Sequence, residues 1–428
     1  MKFTLFCSDN YGMKTFVFSL AMLVTSVGFS KNHVVYFGGG LSSIPGDKAF
    51  DSTLKNAIEI SKKSDWDGDF YYRQNLPANL KEADAKNVKL FSEQNFNQKL
   101  VDMLNETKPG EQLLVVLATH GDKKDRNLVV GSDTGQFDIK SLENFIKQAE
   151  AKGIKLAIVG GTNFSGSLMK NKSDKTCIIA NAPPDKVGAV GDTIELMKWL
   201  GASGSKNLEE AYLQTRERLD EKAIGTMPMI STAAGAATDE MMYPLKPSVT
   251  RKEDLPYFLT RPLCTRTELA METLQESIND NSAIGSAIYG DKVKLDYDAL
   301  KAKTMAYDEE FAETKDVVLL AAKQVCTTVK GQQVCMRMGN LEKLLLKKDE
   351  LAKSSPESLA VVEELVKSED YKAYAAISKK WQPKLDSLGQ KALEISESER
   401  VLYNRVYKKL SEDPKFKNAP NPCRDFKI

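Results

Sequence analysis

Histidine is scarce in this chain, since His33 and His120 are the two copies in 428 residues. The cysteines show no CxxC spacing. The glycine-rich stretch FGGGLSS lacks both GxGxxG and the Lys-Ser/Thr of a phosphate-binding loop. These shortages predict a protein with no metal site and no cofactor.

Neither sign of charge is in excess: 60 lysines and arginines face 59 aspartates and glutamates. No stretch interleaves basic and aromatic residues in the manner of a nucleic-acid-binding surface. The composition therefore predicts no nucleic-acid partner. Long apolar runs are also lacking after the first 30 residues, so no stable membrane insertion is expected once a signal has been removed.

Residues 1–30 are expected to contain a signal peptide. Lys14 precedes an apolar run from Phe16 to Val27 that is short for a membrane span, and small residues follow it. Met13 is the more natural start, because the polar residues before it would displace the signal from the end of the chain. The sequence predicts an exported protein, periplasmic or secreted, from a bacterium. An uncleaved anchor is the alternative.

Strands alternate with helices over residues 31–245. The apolar runs HVVYF, QLLVVLA and KLAIVG show no polar alternation, which indicates strands that are covered on both faces. This order predicts an α/β domain with a mostly parallel sheet flanked by helices. Residues 246–256 form a proline-containing linker. Residues 257–428 are mainly helical in pattern and predict a helical C-terminal domain.

Five cysteines follow the signal segment, and export permits disulfides. Cys326 and Cys335 flank two short β-type runs, so a hairpin cross-link is expected there. Cys264 and Cys423 are expected to join the two ends of the C-terminal region. Cys177 lies in the apolar run TCIIA and is expected to be a buried free thiol.

Two turns carry the candidate functional residues. ATHGD, which contains His120, ends one predicted strand. GGTNFSGS, which contains Asn163, ends the next predicted strand 43 residues later. Ligands of parallel α/β sheets bind outside the carboxyl ends of the strands, so both turns are expected at the ligand-binding edge.

The two turns, in this order and context, resemble those of the cysteine peptidases that include caspases, metacaspases, legumains and clostripain-like enzymes. One strand of these enzymes ends in His-Gly, and the next carries an acid, the catalytic cysteine, an aromatic residue and Ser-Gly. The resemblance covers residues 33–245 and implies a caspase-like fold. It implies that His120 is the base, that the N–H groups of Gly121 and Asn163 form an oxyanion hole, and that a substrate pocket includes Thr162, Ser165 and Asp185.

The nucleophile position departs from this pattern. Asn163 stands where the cysteine belongs, and Gly161 stands where the acid belongs. Such enzymes attack with a thiolate, and an amide side chain is not a nucleophile. The sequence therefore predicts an inactive pseudopeptidase. Its remaining cleft would hold an extended peptide or a partner protein without cutting it.

Two other interpretations stay open. Thr162 or Ser165 could replace the cysteine, which would give an active peptidase or other hydrolase with His120 as its base. The chain could instead be a structural envelope protein in which the helical half makes the contacts. The helical C-terminal region of legumains covers their active site, so the resemblance also allows the helical region here to dock on the cleft.

Expression in a host that exports the chain is expected to remove the signal after Gly28 or Ser30, where small residues are correctly spaced for cleavage. The intact mass of the exported product would then correspond to a chain that starts at Phe29 or Lys31. A full-length product recovered from the membrane fraction would support the uncleaved anchor.

Overall fold

The computed structural model describes residues 32–39, 48–124, 127–184, 190–201, 205–217, 228–242, 291–329 and 332–428. The predicted signal peptide, the linker, Cys264 and Asp185 lie outside the described residues.

Helices and strands alternate up to residue 242. They are β1 (Asn32–Gly38), α1 (Lys48–Ser61), β2 (Trp66–Tyr72), α2 (Glu82–Ala85), β3 (Val88–Leu90), α3 (Glu93–Glu106), β4 (Gln112–Ala118), β5 (Gly121–Lys124), β6 (Asn127–Ser132), β7 (Gly135–Asp138), α4 (Lys140–Lys152), β8 (Lys155–Gly160), a 3₁₀ helix (Ser165–Asn171), β9 (Thr176–Ala180), α5 (Val190–Gly201), α6 (Leu208–Glu217), β10 (Met229–Ile230) and α7 (Ala233–Met242).

A seven-stranded sheet has the order β10-β9-β8-β4-β1-β2-β3. Its neighbouring strands run parallel, except that β10 is antiparallel to β9. Every residue of the central strand β4 is buried, as expected for a strand that is covered on both faces. The predicted α/β fold, with a mostly parallel sheet and flanking helices, is confirmed.

Successive residues of a strand face opposite sides of the sheet, and each side has its own hydrophobic core. Leu113 and Val115 pack with α3 and α4 on one side. Leu114 and Val116 pack with α1, α5 and α6 on the other. Between β4 and α4 the chain forms a small antiparallel sheet in the order β5-β6-β7. This insertion begins directly after His120.

The C-terminal part is mainly helical, as predicted. Its elements are α8 (Asp291–Ala322), β11 (Gln324–Val329), β12 (Gln332–Arg337), α9 (Met338–Leu346), α10 (Lys348–Ser354), α11 (Pro356–Leu365), α12 (Glu369–Glu412), α13 (Pro414–Lys417) and α14 (Pro422–Asp425). Helices α8 and α12 pack against each other in antiparallel directions, because Lys303 bonds Ser398 whereas Glu313 pairs with Lys384. We call this helix pair the arm.

A buried polar network joins the arm to the helices beside the sheet. The hydroxyl groups of Tyr212 on α6 and Tyr403 on α12 are 2.8 Å apart, and Tyr403 donates to Asp239 on α7. Tyr407 on α12 donates to Glu209 on α6 at 2.7 Å. Burial raises the pKa of Tyr403 and Tyr407 well above the ordinary tyrosine value, so both remain neutral hydrogen-bond donors.

The C-terminal residues return to the sheet on the side where the strands begin. The backbone N–H of Lys427 donates to Gln112, the first residue of β4, and the rings of Phe426 and Trp66 are 6.1 Å apart. His120 follows the opposite end of β4. These described contacts therefore place the C-terminal residues away from the predicted ligand-binding edge.

One predicted disulfide is confirmed and the other is wrong. Cys326 and Cys335 are bonded and lie opposite each other in the β11–β12 hairpin. Cys423 is bonded to Cys177 rather than to Cys264, so Cys177 is buried as predicted but is not a free thiol. The pairing depends on the return of the C-terminal residues to β9, which the spacing of the cysteines does not reveal.

Within the described residues, no helix is both long enough and apolar enough to cross a bilayer.

The two disulfides are expected to contribute unequally to stability. The Cys177–Cys423 bond closes a loop with a sequence separation of 246 residues, and the Cys326–Cys335 bond one of 9. Loop-closure entropy predicts that C177A/C423A lowers the free energy of unfolding by about 5 kcal/mol and C326A/C335A by about 3 kcal/mol. Guanidinium unfolding of both double variants measures the difference. Equal losses would contradict this account.

Candidate functional site

The His120 turn is fixed by the small antiparallel sheet. Strand β4 ends at Ala118, and β5 begins at Gly121. The backbone N–H of Gly131 on β6 donates to the His120 carbonyl at 2.9 Å, and the Thr119 hydroxyl donates to the Gly131 carbonyl at 2.7 Å. These bonds hold the backbone of the turn, and the His120 side chain is partly exposed.

The Asn163 turn follows the neighbouring strand. Parallel pairing sets Leu117 of β4 opposite Gly160 of β8, and the N–H of Gly161 donates to the Leu117 carbonyl at 2.7 Å. The two strands therefore end at the same level of the sheet. Asn163 is partly exposed, like His120.

Gly121 brings the two turns into contact. A Cβ atom added there would lie 2.1 Å from the Thr162 Oγ1 and 2.6 Å from the Asn163 carbonyl oxygen. No side chain fits in this space, so the close approach requires glycine. The structure thus brings together Gly121, Thr162 and Asn163, three of the predicted site residues. Gly121 directly follows His120 in the chain.

Phe50 packs against the imidazole of His120. Their ring centroids are 5.3 Å apart and the planes are nearly perpendicular, a favourable edge-on aromatic arrangement. Phe50 comes from the first turn of α1 and is 5 % exposed. Sequence reasoning missed this residue, because 70 positions separate it from His120 and no local pattern marks it.

An ion pair holds the start of α1 next to this site. Arg73, just after β2, donates to the Asp51 carboxylate at 2.9 Å and to the Gly39 carbonyl at 3.2 Å. Tyr72 also donates to Asp51, and burial is the main cause that raises the pKa of Tyr72 above its ordinary value. Because Asp51 follows Phe50 directly, this cluster positions the Phe50 ring against His120.

The two alternative nucleophiles are buried. Thr162 is 1 % exposed, and its hydroxyl has no hydrogen-bond partner among the described residues. Ser165 is fully buried; its hydroxyl donates to Asn181 Oδ1 at 2.9 Å and accepts from the Ala182 N–H. Ser165 therefore ties the 3₁₀ helix to the turn after β9. Neither hydroxyl is open to a substrate in this conformation.

Phe164 adopts a left-handed backbone conformation, with φ 60° and ψ 16°. Among the described residues it is the only non-glycine residue with positive φ. Bulky side chains rarely adopt this region, and such conformations concentrate at binding and catalytic sites. This turn connects β8 to the 3₁₀ helix and places Asn163 just beyond the carboxyl end of β8.

In the described part of the chain, no three His, Cys, Asp or Glu side chains lie close enough together to hold a metal ion.

Substitution of Gly121 by alanine is expected to destabilise the protein by about 1–3 kcal/mol, since the added methyl group must displace both turns. Gly339→Ala is the matched control, because its nearest neighbour would be 3.3 Å away. T162A removes the nearest clashing atom, so G121A/T162A is expected to recover part of the loss. Denaturant unfolding of the four variants measures this coupling, and strictly additive losses would contradict the contact.

Comparisons with known proteins do not assign this chain to a family. No protein-family model matches it, and no curated protein matches it. Among solved structures, the chain is similar to the crystal structure of protein GSU0716 from Geobacter sulfurreducens. That alignment has 8 % sequence identity and a TM-score of 0.33, and it covers 46 % of this chain and 92 % of the other.

Proposed function

We propose that this protein is a non-catalytic relative of the caspase- and legumain-like peptidases that binds an extended peptide, free or as a segment of a partner protein. The supporting observation is the contact of Gly121 with Thr162 and Asn163, which sets the His120 turn against the turn where the peptidases carry their cysteine. The site keeps a histidine turn and presents an amide in place of a thiol.

The backbone of Gly121 suits the recognition of a peptide carbonyl. In an antiparallel ladder, hydrogen-bonded residue pairs alternate with pairs that are not bonded to each other. The N–H of Gly131 donates to His120, so the next pair, Gly121 with Val130, is a non-bonded pair. The N–H of Gly121 consequently points away from β6. This orientation lets the Gly121 N–H donate to a ligand that lies beside His120, at the carboxyl ends of β4 and β8.

The side chains at the edge complement this donor. The amide of Asn163 can both donate and accept hydrogen bonds, and the imidazole of His120 carries two ring nitrogens that form hydrogen bonds. Both side chains are partly exposed. An extended peptide presents alternating carbonyl and N–H groups, so main-chain hydrogen bonding would provide affinity without a covalent step.

The burial of Thr162 and Ser165 favours binding over hydrolysis. A nucleophile must reach within bonding distance of the scissile carbonyl, and both hydroxyls are covered by protein. Attack by either one would require the turn after β8 to open. Ser165 would also have to break its bond to Asn181.

We infer that the protein works outside the cytoplasm as an exported soluble protein. Two disulfides form in the structure, and such bonds persist in oxidising compartments. The N-terminal pattern supports export through a signal peptide that is then removed. The periplasm or the medium of a bacterium fits this route.

Replacing Asn163 by cysteine is expected to create a reactive thiol at the position where the peptidases carry their nucleophile. If His120 faces position 163, it should activate the new thiol, so that iodoacetamide labels N163C about tenfold faster than a thiol without this base. K147C, an exposed position on α4, is the matched control. Adding H120A to N163C should return labelling to the control rate. The unmodified protein, residues 31–428, should leave a proteome-derived peptide library uncut.

Two outcomes would contradict the proposal. Equal labelling of N163C and K147C would mean that the two turns do not form a peptidase-like pair. Library cleavage by the unmodified protein that disappears in H120A would show an enzyme with a different nucleophile. Mass-spectrometric location of a covalent adduct would then identify that residue.

A further inference from the structure

Helix α12 contains a proline in its interior. Pro383 stands 14 positions after Glu369, the first residue of this 44-residue helix, and its side chain is exposed. Proline has no N–H to donate to the carbonyl of Lys379, and its ring crowds that carbonyl. Sharp bends of long helices occur at such positions. The arm therefore has a break in the backbone hydrogen bonding of α12 about one third of the way along this helix.

The partner helix α8 carries a second bending feature at the same level. Lys384, next to Pro383, pairs with Glu313 of α8, which marks the level in both helices. The adjacent Thr314 is buried and donates its hydroxyl to the carbonyl of Glu310 at 2.9 Å. A threonine that bonds the carbonyl four residues earlier competes with the helical backbone and often bends the helix.

The arm carries two hydrophobic clusters, one on each side of this level, and Val317 of α8 is buried between them. The core that includes the sheet reaches Phe311 on α8 and Leu388 on α12. A separate cluster begins at Leu320 on α8 and includes Tyr374 and Ala375 on α12. The Glu313–Lys384 ion pair lies between them, with side chains 63 % and 48 % exposed. Solvent screens such pairs, so this contact stiffens the junction little.

The distal cluster is well fixed internally. We call residues 320–378 the tip; in its described part the Cys326–Cys335 disulfide closes the hairpin. Glu342 of α9 accepts hydrogen bonds from Tyr374 and Ser378 of α12 at 2.7 and 2.8 Å. The other end of α12 is held against α6 and α7 by its buried tyrosines. Two well-packed bodies thus flank the short segment that contains Pro383 and Thr314.

We propose that Pro383 and Thr314 mark a hinge in the arm, about which the tip turns as a rigid body relative to the sheet. Helices bend where a backbone hydrogen bond is missing or where a side chain competes for it, and Pro383 and Thr314 bring both features to the same level of the arm. The tip can then meet a partner in more than one orientation while the His120 edge stays unchanged.

Pulsed electron paramagnetic resonance can measure this motion on the intact protein. Spin labels on noncanonical amino acids at Lys147 on α4 and Lys353 in the tip avoid the cysteines, and both positions are exposed. We expect a broad distance distribution that P383A, which restores the missing donor, narrows by about twofold. P356A is the matched control, because Pro356 occupies the first turn of α11 and breaks no helical bond.

A label pair at Lys147 and Lys206, both beside the sheet, gives the width of a rigid reference. The hinge is refuted if the Lys147–Lys353 distance distribution of the unmodified protein is as narrow as this reference distribution. The arm would then be rigid. A P383A width equal to that of the unmodified protein would also refute it. Alanine is a better helix former than proline, so P383A is expected to fold.

Discussion

The parallel pairing of β4 with β1 and β8 is the constraint on which the rest of the structure depends. Every residue of β4 is buried, and its alternate side chains supply the hydrophobic cores on both faces of the sheet. The same pairing fixes the level at which β4 and β8 end. It thereby sets the His120 turn against Asn163 with no room for a side chain at Gly121. Core and candidate site follow from one strand register.

Attachment of the arm uses a different kind of interaction. The tyrosines at the base of α12 bring hydroxyl groups into the core, where unpaired polar groups are costly. Each hydroxyl finds a partner: Tyr403 reaches Asp239, and Tyr407 reaches Glu209, which also accepts from Arg424 near the C-terminus. Such a network is directional, so it fixes how the arm meets the sheet domain more closely than apolar packing would.

A strained backbone and an ion pair hold the shape of the candidate site. Phe164 keeps an unfavourable backbone conformation, and the Arg73–Asp51 pair holds Phe50 beside His120. These features present a histidine and an amide at the carboxyl edge of a parallel sheet, where ligands of α/β proteins bind. The proposed recognition of a peptide backbone rests on these features.

Local patterns in the sequence determined the elements of this protein. Apolar runs predicted the buried strands, glycine turns predicted their ends, and the nine-residue spacing predicted the Cys326–Cys335 hairpin bond. The order of the strands also indicated that His120 and Asn163 share one edge. Packing between distant segments decided the rest: the Cys177–Cys423 bond, the Phe50 contact and the burial of Thr162 and Ser165. Periodicity reports which face of an element is buried. It does not report which distant element covers that face, because that choice depends on the shapes and polar groups of both surfaces.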